Sequence, residues 1–170
     1  RCRLAVAHAK RAGVEIVETV PLPKVWPNRI TVAVAPTKHN DRMEWLVEKL
    51  VEIGVDRIVP LRCDRSERKE IKTDRLEKIA VSAMKQSLKA VLPQIDEMTP
   101  IKDFIASVDD PQRFVAYCDD RVERRLLAKN YRPGSDVTLL VGPEGDFSPQ
   151  EVDLALGSGF VAVTLGDNRL

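Results

Sequence analysis

The stretch LLVGPEGDFSPQE, residues 139–151, decides the predicted fold of this chain. An apolar strand ends in a loop with two glycines, and a helix begins directly after that loop. Ser148 and Glu151 can each accept a hydrogen bond from the other's backbone N–H, and Pro149 suits the first helical position. Ligands of open α/β sheets bind outside the carboxyl ends of the strands, so the glycine loop is a candidate binding loop. The alternative interpretation is an ordinary tight turn between a strand and a helix.

Strands and helices alternate on both sides of this stretch, from residue 30 onward. The predicted strands cover 30–35, 55–61, 113–119, 136–142 and 160–166. We predict a helix that is capped by Asn40 or Asp41 and runs to about Ile53, with Gly54 as its stop, a second helix from Thr73 to about Ala90, and two more near 100–107 and near 121–129. Apolar residues at helical spacing mark the inward faces of the two long helices: Met43, Leu46, Val47, Leu50 and Val51 on the first, and Leu76, Ile79, Ala80, Ala83 and Leu88 on the second. This pattern predicts an α/β fold, with a mainly parallel sheet covered by helices on both faces.

The first 29 residues have a different organisation. Residues 3–9 and 14–20 alternate in polarity and predict two strands joined by a short turn, and 21–29 carry three prolines and predict a linker. An isolated hairpin is marginally stable, so we expect the chain to begin inside a small β domain whose earlier strands are not in this sequence. The predicted domains are therefore 1–20, the end of a β domain, 21–29, the linker, and 30–170, the α/β domain.

The composition of the 170-residue chain excludes several classes of protein. Hydrophobic residues make up 44%, and no run approaches the roughly 18 consecutive apolar residues of a membrane span. The first residues do not form the apolar block of a signal peptide. Cys2, Cys63 and Cys118 contain no C-x-x-C pair, which favours reduced thiols over a disulfide framework or a zinc site. We expect a cytoplasmic protein that binds neither a membrane nor a metal.

Two familiar kinds of site are disfavoured by their sequence context. Residues 157–162, GSGFVA, match the G-x-G-x-x-A pattern of dinucleotide-binding proteins, but here the pattern ends a helix and opens a strand, the reverse of what it requires. The chain contains no phosphate-loop motif. His8 and His39 lack the spacing of a metal site or a catalytic triad, and we interpret both as surface residues.

Charge is unevenly distributed along the chain, although the formal net charge is only +1. Residues 62–89 carry nine basic and five acidic side chains, whereas residues 133–170 carry one basic and six acidic side chains. A basic loop and helix in a neutral protein suit a phosphate backbone. The alternative is a solvated helix with i,i+4 ion pairs such as Asp74–Lys78, which accounts less well for the arginine-rich loop before the helix.

Several blocks of sequence together resemble one known family. They are MEWLVEKLVEIGVDRIVPL (43–61), Arg65-Ser66, MKQSLKAVLP (84–93), LLVGPEGDFSPQE (139–151) and VTLGDNRL (163–170). Their order and spacing resemble those of RsmE-like methyltransferases of the SPOUT superfamily, which methylate N3 of a uridine in 16S ribosomal RNA with S-adenosylmethionine. The resemblance covers about residues 30–170, and residues 1–20 resemble the last strands of the family's PUA-like β-barrel.

The resemblance implies a C-terminal trefoil knot, a homodimer, and binding to 16S rRNA or the small ribosomal subunit. It further implies that knot loops hold the cofactor largely through their backbone: Leu140, Val141, Gly142, Pro143, Glu144 and Gly145 in one loop, and Leu165, Gly166, Asn168 and Leu170 in the other. The end of the 113–119 strand is a further candidate. Motif positions expected to face RNA or the active site are Arg65, Ser66, Gln86 and Lys89, and Arg68 lies in the same basic loop. Arg65 is the candidate catalytic residue, because a cation can stabilise the uracil anion formed when N3–H is lost.

The chain departs from the family pattern at three places. Lys89 stands where arginine is common, and Asp146 replaces a frequent second glycine. The family also continues with R-x-E-T-A where this chain ends, at Leu170. We therefore expect the chain to be part of a longer protein.

Three other functions stay open at this point. One is a non-catalytic RNA-binding protein with a basic loop and a β-barrel, and another is a SPOUT methyltransferase with a different RNA target. The third, an unrelated nucleotide-binding α/β enzyme, is disfavoured because phosphate-loop motifs are absent.

Overall fold

A parallel sheet forms the centre of the computed structural model, which describes residues 1–119 and 121–166. The strands are β1 (Cys2–His8), β2 (Arg11–Ile16), β3 (Ile30–Val34), β4 (Arg57–Arg62), β5 (Gln94–Ile95), β6 (Thr99–Pro100), β7 (Gln112–Ala116), β8 (Arg125–Leu126), β9 (Val137–Val141) and β10 (Val161–Thr164). The helices are α1 (Asn40–Ile53), α2 (Thr73–Gln86), α3 (Ile101–Ser107), α4 (Leu127–Asn130) and α5 (Pro149–Gly157).

The order of strands in the sheet is β5-β4-β3-β9-β7-β10-β8, and β6 also pairs with β4. All these pairs are parallel, which confirms the predicted sheet. The carboxyl ends of all eight strands therefore lie at one edge of the sheet, which we name the carboxyl edge; the opposite edge is the amino edge. The last strand, β10, lies between two strands that precede it in the chain, β7 and β8.

Helices cover both faces of the sheet, as the sequence predicts. Successive residues of β3 point to opposite sides: Val32 and Val34 pack with α1 and α2, whereas Ala33 and Ala35 belong to the core beneath α3 and α5. Because side chains alternate along a strand, a strand covered on both faces is apolar at every position, and this explains the uninterrupted apolar runs.

The N-terminal hairpin is separate from this sheet. β1 and β2 pair with each other in antiparallel register, from Cys2 opposite Ile16 to His8 opposite Arg11. Apolar side chains on both strands are exposed, including Leu4 and Val14. The segment that follows reaches the end of α1 at Trp26, whose indole Nε1 donates a hydrogen bond to the carbonyl of Ile53 at 3.0 Å.

Three predicted helix boundaries are wrong, each for a local reason. α1 begins after His39, which provides no side-chain cap, and not after a capping Asn40 or Asp41. α2 ends at Gln86 because the chain turns through a left-handed Leu88, after which the Lys89 N–H donates to the Met84 carbonyl at 3.0 Å.

Leu88 is consequently 86% exposed rather than buried. The helix predicted near 121–129 is reduced to the short α4, because residues 125–126 form β8 beside β10. The other predictions for α1 and α2 are confirmed. Gly54 ends α1 in a left-handed conformation, and the remaining residues of the predicted inward faces of α1 and α2 are buried or half-buried.

Candidate functional site

Loops from five strands meet at the carboxyl edge. They follow β3 at 35–38, β4 at 63–68, β7 at 117–119, β9 at 142–147 and β10 at 165–166. Side-chain hydrogen bonds join four of these loops, as described below. Side-chain hydrogen bonds connect the glycine loop after β9 to the loops after β3, β4 and β7, so we take it as the centre of the candidate site.

The glycine loop is a closed turn supported by a buried aromatic ring. The Asp146 N–H donates to the Pro143 carbonyl at 2.9 Å, and Phe147 is 1% exposed. A Cβ on Gly142 would lie 3.1 Å from Cδ2 of the Phe147 ring and 3.3 Å from its backbone nitrogen. Glycine at this position therefore allows the loop to close over the ring, which is a requirement of packing.

The predicted capping box of α5 is confirmed, and it extends to the loop after β4. Glu151 is 1% exposed, and its two carboxylate oxygens accept from the N–H groups of Ser148 and Asp64, both at 2.8 Å. The Ser148 hydroxyl accepts from the Glu151 N–H at 3.3 Å and donates to the Asp64 carboxylate at 2.7 Å. The start of α5 thus fixes the backbone directly before Arg65.

Arg65 lies against the glycine loop. Its Nη1 donates to the carbonyl of Gly145 at 2.9 Å and to that of Phe147 at 3.4 Å. The side chain is exposed, and among the described residues its Nε and Nη2 have no hydrogen-bond partner. One nitrogen of the guanidinium is therefore anchored while two donors face outward, and the charge is held at a defined place.

Ser66 and Cys63 are structural members of the same loop. The Ser66 hydroxyl accepts from the Cys63 N–H at 3.1 Å, and the Ser66 N–H donates to the Cys63 carbonyl at the same distance. Ser66 is 8% exposed, so its hydroxyl closes a turn and is largely shielded from solvent, whereas the motif led us to expect a side chain that faces RNA or the active site. Burial raises the pKa of the Cys63 thiol to about 12, with the charge of Glu151 adding to the rise, so this sulfur stays a neutral core atom.

Glu144 and Arg68 hold the loop after β3. The Glu144 carboxylate accepts from the Lys38 N–H at 2.9 Å, and this hydrogen bond lowers the pKa of the Glu144 carboxyl below its ordinary value. Arg68 donates to the carbonyls of Thr37 at 3.2 Å and Lys38 at 2.6 Å. The side chains of both predicted site residues are therefore engaged with backbone, and they shape the edge of the site.

Asp146 connects the glycine loop to the end of β7, a role that sequence reasoning missed. Its Oδ2 accepts from the Cys118 N–H at 3.0 Å and its Oδ1 from the Phe147 N–H at 2.8 Å. The backbone of Asp146 is left-handed, with φ 60°. The replacement of a glycine by aspartate was the available signal, because both residues tolerate this conformation and only aspartate brings an acceptor.

Two predicted RNA-facing residues lie elsewhere. α2 runs back from the carboxyl edge, and its 14 residues span about 21 Å. Gln86 is its last residue, and Lys89 lines a cavity of about 280 Å³ at the amino edge together with Leu22, Val25 and Asp56. The structure therefore groups Arg65 and Arg68 at one edge and places Gln86 and Lys89 at the other.

The predicted cofactor residues differ in how they are placed. Leu140 is fully buried and pairs with strands on both sides, so it supports the loop from within the sheet, and the Val141 carbonyl accepts from the Ala35 N–H at 2.9 Å. Leu165 is 56% exposed at the carboxyl edge and Gly166 follows it. Asn168 and Leu170 lie outside the described residues.

Neither a membrane-spanning helix nor a cluster of metal ligands is present among residues 1–119 and 121–166. No helix in these ranges is both long and apolar enough to cross a membrane. The same residues contain no group of three or more histidine, cysteine, aspartate or glutamate side chains placed to hold a metal ion.

Comparison with known proteins identifies the domain. Residues 24–170 match the family model of the RNA methyltransferase domain. Ribosomal RNA small subunit methyltransferase E of Synechocystis is 27% identical over 161 residues, covering 92% of this chain and 53% of that protein. This chain thus spans about half the length of that curated relative.

Two crystal structures have the same fold over nearly the whole chain. One, from Porphyromonas gingivalis and described as a "probable rRNA-methyltransferase", is 48% identical, with a TM-score of 0.93 over 99% of this chain and 72% of that one. The other is ribosomal RNA small subunit methyltransferase E of Neisseria gonorrhoeae bound to S-adenosyl methionine, 27% identical, with a TM-score of 0.86 over 99% of this chain and 71% of that one.

Proposed function

We propose, from the premise that this chain belongs to the RNA methyltransferase domain family, that it is the methyl-transferring part of an enzyme that modifies RNA of the small ribosomal subunit. The resemblance of its sequence motifs to the RsmE-like methyltransferases is confirmed, because several curated relatives carry the name ribosomal RNA small subunit methyltransferase E. The observation that carries the proposal is the meeting of the glycine loop with an anchored, outward-facing arginine at the carboxyl edge of a parallel sheet.

The carboxyl edge suits S-adenosylmethionine, the molecule bound to the Neisseria gonorrhoeae structure. Gly145 is exposed, Gly142 is half-buried, and the exposed apolar side chain of Leu165 lies at the same edge. Glycine loops let a ligand approach backbone N–H and C=O groups closely, which a polar amino-acid chain and an adenine ring both require. We propose that residues 141–145 and 165–166 hold this cofactor, with Asn168 and Leu170 contributing from outside the described residues. When bound, it supplies an electrophilic methyl group.

Arg65 is the residue that we propose stabilises the reacting base. Methylation at N3 of a uridine, the target that the RsmE-like resemblance implies, requires loss of the N3–H, which leaves negative charge on the uracil ring. A guanidinium held by two backbone carbonyls is already oriented, so it stabilises that charge without reorganising during the reaction. The N3 atom of a paired uridine is inaccessible, so we expect the target nucleotide to be unpaired or flipped out.

RNA contacts at both edges are part of the proposal. Arg65 and Arg68 lie at the carboxyl edge, and Gln86 and Lys89 lie at the far end of the roughly 21 Å helix α2. A single nucleotide cannot touch both groups, so the RNA that we propose is a folded segment of 16S rRNA held largely through its phosphates and shape. Lys89 presents a point charge in place of the planar fork of arginine, which suits a phosphate without demanding bidentate geometry.

Three features of the whole protein complete the proposal. The C-terminal knot is proposed on the strength of the family resemblance, and the order of the described strands, with β10 between β7 and β8, is compatible with it. The exposed apolar residues of the β1–β2 hairpin support its assignment to a PUA-like β domain, with 21–29 as the linker. We also propose a homodimer and a cytoplasmic location, on the strength of the family resemblance.

Calorimetry and methyl transfer on the full-length protein test the function. We expect S-adenosylmethionine to bind, and small-subunit RNA to gain a methyl group at N3 of one uridine, located by mass mapping of rRNA from a deletion strain. A protein that binds RNA without binding the cofactor would instead be the non-catalytic RNA-binding protein. A methyl group at another nucleotide would keep the enzyme class and overturn the target.

Two arginine variants test the role of Arg65. Arg65→Ala should bind the cofactor normally and lose about 10²-fold in kcat, the typical cost of removing one preorganised donor. Arg132→Ala is the control, because it removes an exposed arginine from the loop before β9, at the amino edge. Full methylation by Arg65→Ala would exclude the proposed role.

A further inference from the structure

Asp146 follows Gly145 in the glycine loop and has a backbone conformation that glycine adopts most easily. Its φ is 60°, and Leu88 is the other non-glycine residue with a positive φ within residues 1–119 and 121–166. Most side chains disfavour this conformation, whereas a short polar one tolerates it by bonding locally. The Asp146 carboxylate does so through its Oδ1, which accepts from the Phe147 N–H at 2.8 Å.

The second oxygen of Asp146 reaches another loop. Oδ2 accepts from the Cys118 N–H at 3.0 Å, and Cys118 lies two residues beyond the end of β7. A glycine could keep the backbone turn but could not make this connection. Beyond Ala116 and Val141, the last paired residues of β7 and β9, the glycine loop and the segment after β7 are therefore joined by the Asp146 side chain.

The opposite side of the same peptide segment is held by Arg65. Its Nη1 donates to the Gly145 and Phe147 carbonyls, one on each side of Asp146. Residues 145–147 are thus fixed from the β4 side through their carbonyls and from the β7 side through the Asp146 carboxylate. Both carboxylate oxygens are occupied by N–H groups, so Asp146 acts on a ligand through the backbone it holds.

We infer that Asp146 is a positioning residue that sets the affinity for S-adenosylmethionine by holding the glycine loop and the end of β7 at a fixed separation. The inference rests on the proposed function, in which the cofactor lies against the glycine loop, and it takes up the expectation from the sequence that the end of the 113–119 strand is a further part of the cofactor site. Ordering loops before a ligand arrives removes part of the cost of binding. A loop that is held from one side only loses conformational freedom when the cofactor binds, and this loss weakens binding.

The test compares Asp146→Gly, Asp146→Asn and the wild-type full-length protein by titration calorimetry with S-adenosylmethionine. Asp146→Gly keeps the positive-φ backbone and removes the connection to Cys118, so we expect Kd to rise about tenfold, which corresponds to about 1.4 kcal/mol. Asn keeps one acceptor oxygen and tolerates the left-handed backbone, so its Kd should lie between those of the other two proteins. Asp153→Asn, an exposed site on α5, is the matched control.

A kinetic measurement separates positioning from a general loss of structure. Asp146→Gly should raise the KM for S-adenosylmethionine about tenfold and leave kcat at saturating cofactor within about twofold. Its Tm should fall by no more than a few degrees, because glycine adopts a positive φ freely and the N–H of the exposed Cys118 can bond to water instead. If Asp146→Gly does not fold, the Asp146→Asn titration decides alone. If the wild type binds S-adenosylmethionine and both Asp146 variants bind it with the same Kd, this inference alone is overturned. If the wild type does not bind S-adenosylmethionine, the proposed function and this inference are overturned together.

Discussion

Glu151 offers the sharpest test of how the candidate site is built. Its carboxylate is 1% exposed and accepts two backbone N–H groups, one from Ser148 in its own capping box and one from Asp64 in the loop after β4. The perturbation is a pair of variants, Glu151→Gln and Glu151→Ala. Gln keeps the shape and one acceptor oxygen but replaces the other oxygen with a donor, whereas Ala removes both acceptors.

The expected magnitudes follow from these two hydrogen bonds. A hydrogen bond to a charged group contributes about 1.5–3 kcal/mol, and a buried donor left without a partner costs about 1–3 kcal/mol. Glu151→Gln loses one acceptor, so its free energy of unfolding should fall by about 1.5–3 kcal/mol. Glu151→Ala loses both, and we expect a fall of about 3–5 kcal/mol. At roughly 2–4 °C per kcal/mol for a domain of this size, Tm should fall by about 3–12 °C and 6–20 °C respectively.

Urea unfolding followed by circular dichroism measures both changes. Glu77→Gln is the control: Glu77 is exposed on α2, and among the described residues it has no hydrogen bond or ion pair, so its variant should stay within about 0.5 kcal/mol of the wild type. Hydrogen exchange adds a local readout, because the amides of Ser148 and Asp64 should lose protection in Glu151→Ala. The reasoning is refuted if both Glu151 variants unfold at the same urea concentration as Glu77→Gln. It is also refuted if Glu151→Gln lowers the free energy of unfolding as much as Glu151→Ala does.

Two further predictions concern the glycine loop. Gly142→Ala should lower the free energy of unfolding by about 1–3 kcal/mol, because its Cβ would lie 3.1 Å from the Phe147 ring. The matched control, Gly157→Ala, should be neutral or stabilising, because a Cβ there would meet no atom within 4 Å. Equal urea midpoints for the two variants would contradict this prediction. The pKa of the Glu144 carboxyl is lowered by the Lys38 N–H, so its contribution to stability is present above pH 4.5 and disappears as the pH falls through the lower folded value. Glu144→Gln should therefore be less stable than the wild type at neutral pH and approach it in acid, and a constant difference in urea midpoints across that range would contradict the assignment.

Local sequence signals predicted the elements that position the site. The capping box at Ser148 and Glu151 and the stop at Gly54 are confirmed. Both could be predicted because each depends on residues within four positions of one another. The apolar period likewise predicted which faces of the helices are buried. The glycine loop could be placed at the carboxyl edge because a parallel sheet brings all strand ends to the same side.

The sequence could not predict interactions between distant residues or the exact residue at which a helix ends. Nothing near Gln86 indicates that Leu88 will adopt a left-handed conformation, yet this turn, closed by the bond from the Lys89 N–H to the Met84 carbonyl, ends α2 four residues early. The division of the expected RNA-facing residues between two edges has the same origin. Arg65 and Lys89 lie within one basic run of sequence, but the direction of α2 decides that they face opposite edges.

The acidic segment 133–166 has a different role from the one that its net charge suggests. Four of its carboxylates accept backbone N–H groups from other parts of the chain: Asp136 from Arg29, Glu144 from Lys38, Asp146 from Cys118 and Glu151 from Asp64. The last three donors lie at or beyond the ends of β3, β7 and β4, the strands that surround the glycine loop.

Arginine side chains make the complementary contacts to carbonyl groups at the same edge. A negative charge that is bonded to N–H groups repels an approaching phosphate less than a solvated one, because the amide dipoles offset part of its field. The acids are therefore compatible with the RNA partner that we propose for the carboxyl edge, where the Arg65 side chain is exposed and positively charged.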